Sequence, residues 1–275
     1  MGVNVENLQQ FIKRQTNLST TPAMLGRILS LVNDESTTPD DLHHLISHDQ
    51  AMAQRVMRVS NSAFFGHSGQ VKDIPQAIML LGFDRVKAIA IGMTAINVFP
   101  ATTSFHLQNL WIHGYETAFL AQTISKAGAL SRADECFVGG LLHDIGRVVF
   151  YLFDHNRFSQ LGIADDLLER EQDLFGCTHA EAGAWMGESI GLPGEIVRTI
   201  RFHHDPNAAD DTTGAVSVVS LAEALCRKFN PRIEDDGIWT HQHDAILLGF
   251  NFTDQSLQDF KMQYDEARPE IERIF

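Results

Sequence analysis

Apolar residues recur along this chain at helical spacing, almost from its start. Thr21 and Pro22 read as a cap and first-turn proline, and Met24, Leu25, Ile28, Leu29 and Val32 follow on one face, which predicts a helix over Pro22 to Val32. The signal repeats at Thr38, Pro39 and Asp41, with an acid at the third helical position and Leu42, Leu45 and Ile46 forming the buried stripe. Asp49 can cap a third helix in which Met52, Val56 and Val59 face inward, ending near Asn61. The stretch NSAFFGHSGQVKD then mixes glycines and small polar residues with two aromatics, so an ordered loop pinned by Phe64 and Phe65 is expected. Helices resume at Pro75 and after Gly82.

The interval FPATTSFHLQN, with Pro100 and a Thr/Ser cluster, is the best place for a boundary, near residue 104. Beyond it, Trp111 to Lys126, Glu135 to Phe153, His179 to Ile190, Gly194 to Phe202 and Ala215 to Phe229 read as helices. Strand alternation, fixed-period repeats and low-complexity tracts are missing. The pattern therefore predicts an all-α protein of two helical lobes, 1–104 and 105–275.

Length and composition are consistent with this. A chain of 275 residues with 44% apolar content can bury two cores without a staple. Cys136, Cys177 and Cys226 are odd in number and far apart, so neither a disulfide framework nor a thiolate zinc site is expected, and a reducing cytoplasmic setting fits. Cys177 reads as a small buried hydrophobe. The first residues lack the basic-then-apolar order of an export signal. The most apolar runs, Ala88 to Phe99 and Val138 to Phe153, are too short or are broken by His143, Asp144 and Arg147, so no membrane span is expected. A net charge of −14 with no basic stripe makes broad nucleic-acid binding a poor fit. Arg55, Arg58, Arg85 and Lys87 are its sole support.

Chemistry enters at GLLHDIGR, where His143 and Asp144 interrupt an apolar helical run. Burying two ionisable groups between Leu142 and Ile145 is costly unless each has a partner, and a divalent cation is one such partner. An HD dipeptide alone is weak evidence, since a solvated or hydrogen-bonded pair is the better explanation of it in isolation. Other histidines strengthen the case. His113 lies on a largely apolar helix, His179 opens HAEAGAWM, and His203 with His204 closes IVRTIRFHH. Four histidine-bearing segments in one helical domain suggest facing side chains that converge on a metal. Singly, they read as a core histidine, a helix N-terminal residue and favourable partners of a helix C-terminus. His43, His44, His48, His67, His106, His155, His241 and His243 lie in polar contexts and are assigned to the surface. A GxSxG elbow, a P-loop and a glycine-rich dinucleotide turn are missing.

Taken together, HDQAMAQRVMRVSNSAFFG, IPQAIMLLGFDRVKAIAI, LWIHGYETA, FVGGLLHDIGRVV, THAEAGAWM, LPGEIVRTIRFHHDP and VVSLAEAL resemble the HDOD proteins, a regulatory branch of the HD-domain metal-dependent phosphohydrolase superfamily. The resemblance spans about residues 16 to 230. The order of histidines is also similar to the HD-GYP branch, whose members hydrolyse cyclic di-GMP with two or three metal ions. It implies that His113, His143, Asp144, His179, His203 and His204 occupy ligand positions, and that Glu223 stands where the superfamily closes its site with aspartate. The chain departs from HD-GYP in lacking the GYP signature after His204 and in carrying Arg147 where that pattern has lysine.

The resemblance implies a signal-transduction output or scaffold protein with a protein partner and a metal-capable second lobe. The alternative it offers is a metal-dependent phosphohydrolase acting on a nucleotide or cyclic dinucleotide. Iron, manganese, zinc or magnesium would serve, with no organic cofactor. In that chemistry a bound cation acidifies water and polarises a phosphoryl oxygen. Asp144 and Arg147 would carry the reaction, Arg147 by steadying the phosphate, while Arg198 and Arg201 read as ordinary surface charges.

Overall fold

The computed structural model describes residues 5–18, 27, 36–61, 71–97, 105–130, 132–161, 166–209, 214–230 and 237–274, and every regular element among them is a helix. Apart from Arg27, which is helical, the expected helix over Pro22 to Val32 lies outside the described residues, as do the aromatics Phe64 and Phe65 with His67, the boundary segment before Phe105 and the side chain of His106.

Helix α1 (Val5–Leu18) is followed by α2 (Pro39–Ser47), α3 (Gln50–Ser60), α4 (Ile74–Leu81) and α5 (Phe83–Asn97). The start of α2 has the chemistry its sequence suggests. Thr38 Oγ1 accepts from the Asp41 backbone N–H at 3.3 Å, and Asp41 Oδ2 accepts from the Thr38 N–H at 2.9 Å, so two otherwise unmatched amides at the helix start are satisfied. Asp49 caps α3 by accepting from Met52 N–H, and Asn61 ends it. Asn61 also bonds the backbone of Val71, donating from Nδ2 to the carbonyl and accepting at Oδ1 from the N–H. Helices α2 to α5 pack on one another around Leu42, Ile46, Val56, Ala77 and Ile89. Helix α1 packs instead on the second half of the chain, burying Leu8 and Ile12 and setting Phe11 edge-on to Phe153 at 5.4 Å.

The second half contains α6 (Phe105–Ala127), α7 (Ala133–Leu142), α8 (Ile145–Phe153), α9 (His155–Phe158), α10 (Leu167–Phe175), α11 (His179–Ile190), α12 (Gly194–Phe202), α13 (Ala215–Phe229), α14 (His241–Gly249) and α15 (Asp254–Ile274). Helix α7 is the centre of the bundle, touching α5, α6, α12 and α13. All its residues from Cys136 to Leu142 are buried, which explains why it is apolar on every side.

One sequence expectation needs correction. The run expected as a single helix over Glu135 to Phe153 is two, α7 and α8, and His143 and Asp144 form the turn between them. Apolar periodicity alone does not register such a break, because Leu142 and Ile145 on its two sides are both core residues. The 21-residue run Ala133–Phe153 is apolar enough on average to cross a membrane, yet 83% of its most apolar window is buried inside the protein, so the bundle itself accounts for its hydropathy.

Candidate metal centre

His143 and His203 are placed by the same device. Each follows the last residue of a helix, α7 and α12 respectively, and each folds its ring back so that Nδ1–H donates to the carbonyl three residues earlier: Gly140 O for His143 and Ile200 O for His203, both at 2.7 Å. With Nδ1 acting as donor, each neutral ring aims its Nε2 lone pair inward. The C-terminal ends of the two helix dipoles meet at the same point, which favours positive charge there.

His179 arrives from the opposite direction. Gly176, at φ +78°, ends α10, and Thr178 with Glu181 forms a capping box that begins α11 at His179. Helix α8 lies close enough to α11 that a Cβ on Gly146 would fall inside the van der Waals shell of the His179 carbonyl oxygen and 2.7 Å from Gly183 N. A side chain at 146 would therefore separate Asp144 from His179.

Asp144 is the hub. Its Oδ1 lies 3.2 Å from His179 Nε2, 3.6 Å from His143 Nε2 and 4.0 Å from His203 Nε2, and its Oδ2 lies 3.8 Å from His113 Nε2. His204 Nε2 is 3.0 Å from His179 Nε2 and 3.9 Å from Glu223 Oε1. Three overlapping groups, His113/His143/Asp144, His179/His203/His204 and His143/His203/Glu223, each offer ligand atoms within 4.8 Å of one another. Atoms bound about 2.0–2.2 Å from one ion end up roughly 3 Å apart, so this spacing needs little contraction to take a cation. All seven residues named from the sequence as ligands thus come together, and Glu223 spans the gap despite its extra methylene.

The electrostatics agree. His179 and His203 present Nε2 atoms to each other at 3.2 Å while each Nδ1 is committed to an acceptor. Such an approach requires a positive charge shared between the two nitrogens, either a proton or a metal cation. Burial pushes His179 down, but Glu171 and Asp144 together hold it well above the ordinary imidazole value. Burial, reinforced by His204, His143 and His179, holds His203 well below it. The donor set fits a divalent metal.

Arg147, offered from the sequence as a phosphate contact, lies against Asp144. It is 6% exposed, and its Nη1–H donates to Asp144 Oδ2 at 3.3 Å, so the guanidinium holds the hub carboxylate and faces away from solvent. Arg201 pairs with Glu188 at 2.8 Å, and Arg198 donates to the Ala209 carbonyl.

Sequence reasoning overlooked Glu171, which is fully buried and bound to His179. Its signal was present: Leu167, Glu171 and Phe175 are the buried stripe of α10, one acid among apolar residues at four-residue spacing. A second correction concerns His243, assigned to the surface but 6% exposed. Its Nδ1 accepts from Thr240 N–H at 2.9 Å, which leaves Nε2–H to donate to Ser220 Oγ at 3.3 Å.

His243, Ser220, His204 and Glu223 line a cavity of about 350 Å³ that opens beside the cluster. Gly237 closes one side so tightly that a Cβ there would lie 2.7 Å from the Glu223 carbonyl carbon. Asp166 and Glu169 stand on the wall, and among the described residues no lysine or arginine does. A larger cavity of about 510 Å³ lies between α6 and α15, lined by Phe119, Lys126 and Glu266, away from the histidines.

An all-helical bundle whose buried histidines and aspartate converge at the HD turn defines the class: an HD-type helical protein with a metal-capable centre. Within it, the sequence model of the HDOD domain matches residues 18–206, and the chain belongs to the HDOD family. It is 27% identical over 225 residues to an uncharacterized protein of Treponema pallidum (strain Nichols), matching 78% of this chain and 43% of that one, so it spans less than half that relative's length. Among solved structures it is similar to an HDOD domain protein of unknown function from Geobacter sulfurreducens, with a TM-score of 0.75, 23% identity and 99% of both chains covered. It is also similar to a Shewanella amazonensis SB2B protein described provisionally as a phosphohydrolase, with a TM-score of 0.75, 22% identity and 96% and 97% coverage. A Marinobacter aquaeolei VT8 protein described provisionally as a signal transduction protein aligns with a TM-score of 0.73 and 19% identity over 93% of this chain and 58% of that one. At these identities the likeness shows a shared fold.

Proposed function

We propose that this chain is a cytoplasmic regulatory protein in which residues 105–275 hold a divalent metal centre and residues 1–104 present the surface that a signalling partner reads. The observation that carries the metal reading is the convergence of imidazole nitrogens and carboxylate oxygens from separate helices into three overlapping groups, the atoms of each within 4.8 Å of one another. His113, His143, Asp144, His179, His203, His204 and Glu223 would hold the ion or ions, and so nitrogen-rich a set favours iron, manganese or zinc over magnesium. When bound, the metal would supply a Lewis acid and an acidified water.

The surroundings favour regulation over turnover. The cavity beside the cluster carries Asp166, Glu169 and Glu223 and, among the described residues, no lysine or arginine, while Arg147 is turned inward onto Asp144. A phosphate group entering there meets carboxylates where a phosphohydrolase would offer arginine or lysine. The second reading, a phosphohydrolase acting on a nucleotide or cyclic dinucleotide, has one observation behind it: the cavity reaches His204 and Glu223, so a small ligand has access to the cluster.

Metal content and turnover separate these readings. The purified chain is expected to retain near-stoichiometric iron, manganese or zinc, to lose it on His143→Ala, and to release no phosphate from nucleotides or cyclic dinucleotides when loaded. Hydrolysis that disappears with His143→Ala would establish the enzyme instead. A chain that takes up none of these metals would remove both.

A further inference from the structure

Glu171 belongs to none of the three donor groups and to no motif that the sequence singles out, yet it makes the most specific contact near the centre. Its side chain is fully buried. Oε2 accepts from the His179 backbone N–H at 2.8 Å and from His179 Nδ1–H at 2.8 Å, and Oε1 lies 3.0 Å from the same Nδ1. The backbone amide is that of the first residue of α11, one of the N-terminal donors that a helix leaves unmatched. A single carboxylate therefore fastens the helix start and the ring of one residue together.

The surroundings hold that carboxylate in place. Phe175, one turn after Glu171, stacks on Phe150 of α8 at 4.1 Å with the ring planes 6° apart, so α10 is docked on the helix that begins just after Asp144. The stack and the Glu171 contacts tie Asp144 and His179 to one rigid frame.

We infer that Glu171 is the positioning residue of the metal centre: it fixes the His179 tautomer with Nδ1 protonated, turns Nε2 toward Asp144 and His203, and raises the donor strength of the ring through its negative charge. This rests on the metal reading above. His143 and His203 are oriented by neutral carbonyls and His179 by a carboxylate, so the three rings are unequal, and His179 is the strongest donor of the set.

The test uses the full chain with Co²⁺ as probe, followed by calorimetry and by the visible d–d spectrum. Glu171→Gln is expected to weaken Co²⁺ binding about 10–100-fold and to change the spectrum. Glu171→Asp, which keeps the charge but shortens the reach, falls between the two. It also serves if the glutamine variant fails to fold. Melting curves of the metal-free proteins separate a structural role: variants that melt earlier but bind Co²⁺ with unchanged affinity and spectrum would overturn the inference and leave the metal centre standing. If the unaltered chain binds no Co²⁺, the metal reading fails, and the imidazole ¹H–¹⁵N spectrum of the metal-free chain decides on Glu171. A strongly hydrogen-bonded proton on His179 Nδ1 that is lost in Glu171→Gln supports it; an unprotonated Nδ1, or a signal indifferent to the substitution, sinks it.

Discussion

Between Pro39 and Asn97 the buried side chains of the described residues are apolar, with Ser60 the polar exception, whereas the interior from Leu110 to Glu223 holds His113, Glu116, His143, Asp144, Arg147, Glu171, His179, His203 and Glu223. Both regions are helical, and their buried apolar residues join in one continuous cluster. They differ in what the core is for. Each ionisable group taken from water costs several kcal/mol unless it is paired, so a stability-driven interior would have replaced this set with leucine and valine. The second region gives up that stability to keep a concentrated set of residues that could hold a cation, and the first, free of them among the described residues, has ordinary apolar packing.

Substitutions can break this comparison. The largest effect is expected at Gly146, where the backbone of α8 meets that of α11. Gly146→Ala should cost about 3 kcal/mol or more, since neither backbone can yield cheaply, and should abolish metal retention by parting Asp144 from His179. Chemical denaturation and metal analysis measure the two losses. Ile46→Ala, in the first region and fully buried, should cost a similar ~2–5 kcal/mol while metal content per folded chain stays unchanged. If Ile46→Ala also emptied the centre, the two regions would not be separable in the way their interiors suggest.

The next effect is a pH dependence at His243. Burial holds this imidazole below its usual value. The unfolded chain binds the proton near 6.5 and the folded chain resists it until lower pH, so His243 contributes stability above about pH 6.5 that is lost as pH falls through its folded value. Melting temperature against pH should therefore fall less steeply on the acid side in His243→Asn, whose side-chain oxygen can still accept from Thr240 N–H. An unchanged slope would remove His243 as a source. The smallest effect belongs to Thr38→Ala, which deletes the cap of α2 and should cost about 1 kcal/mol without touching the metal centre.

Much of the candidate site was legible in the sequence because several of its residues sit where helices begin and end. His143 and Asp144 break an apolar run, His179 follows the capping residue Thr178, and His203 closes an amphipathic helix, so composition and position both mark them. Glu223 was legible only through its resemblance to a family position; nothing in AVSVVSLAEAL distinguishes a ligand from a buried acid. Glu171 escaped although it lies in register with Leu167 and Phe175, because three positions in a largely polar helix make a faint stripe, and His243 escaped because an isolated polar residue in a mixed segment carries no sign of whether its face turns inward. Arg147 was legible as a charge near the HD turn but not as the clasp on Asp144, since the direction of a long side chain is chosen by its neighbours.

The sequence by itself determined the helices, their caps and the identity of the donor atoms, because those follow from spacing and local hydrogen bonding within a few residues. Only the tertiary structure decided that α7 and α8 are separate helices, that Glu171 grips His179, and that Asp144 lies within 4.0 Å of four imidazoles. Those are contacts between segments tens of residues apart, and their distances are set by how closely helices approach, down to the absence of a Cβ at Gly146.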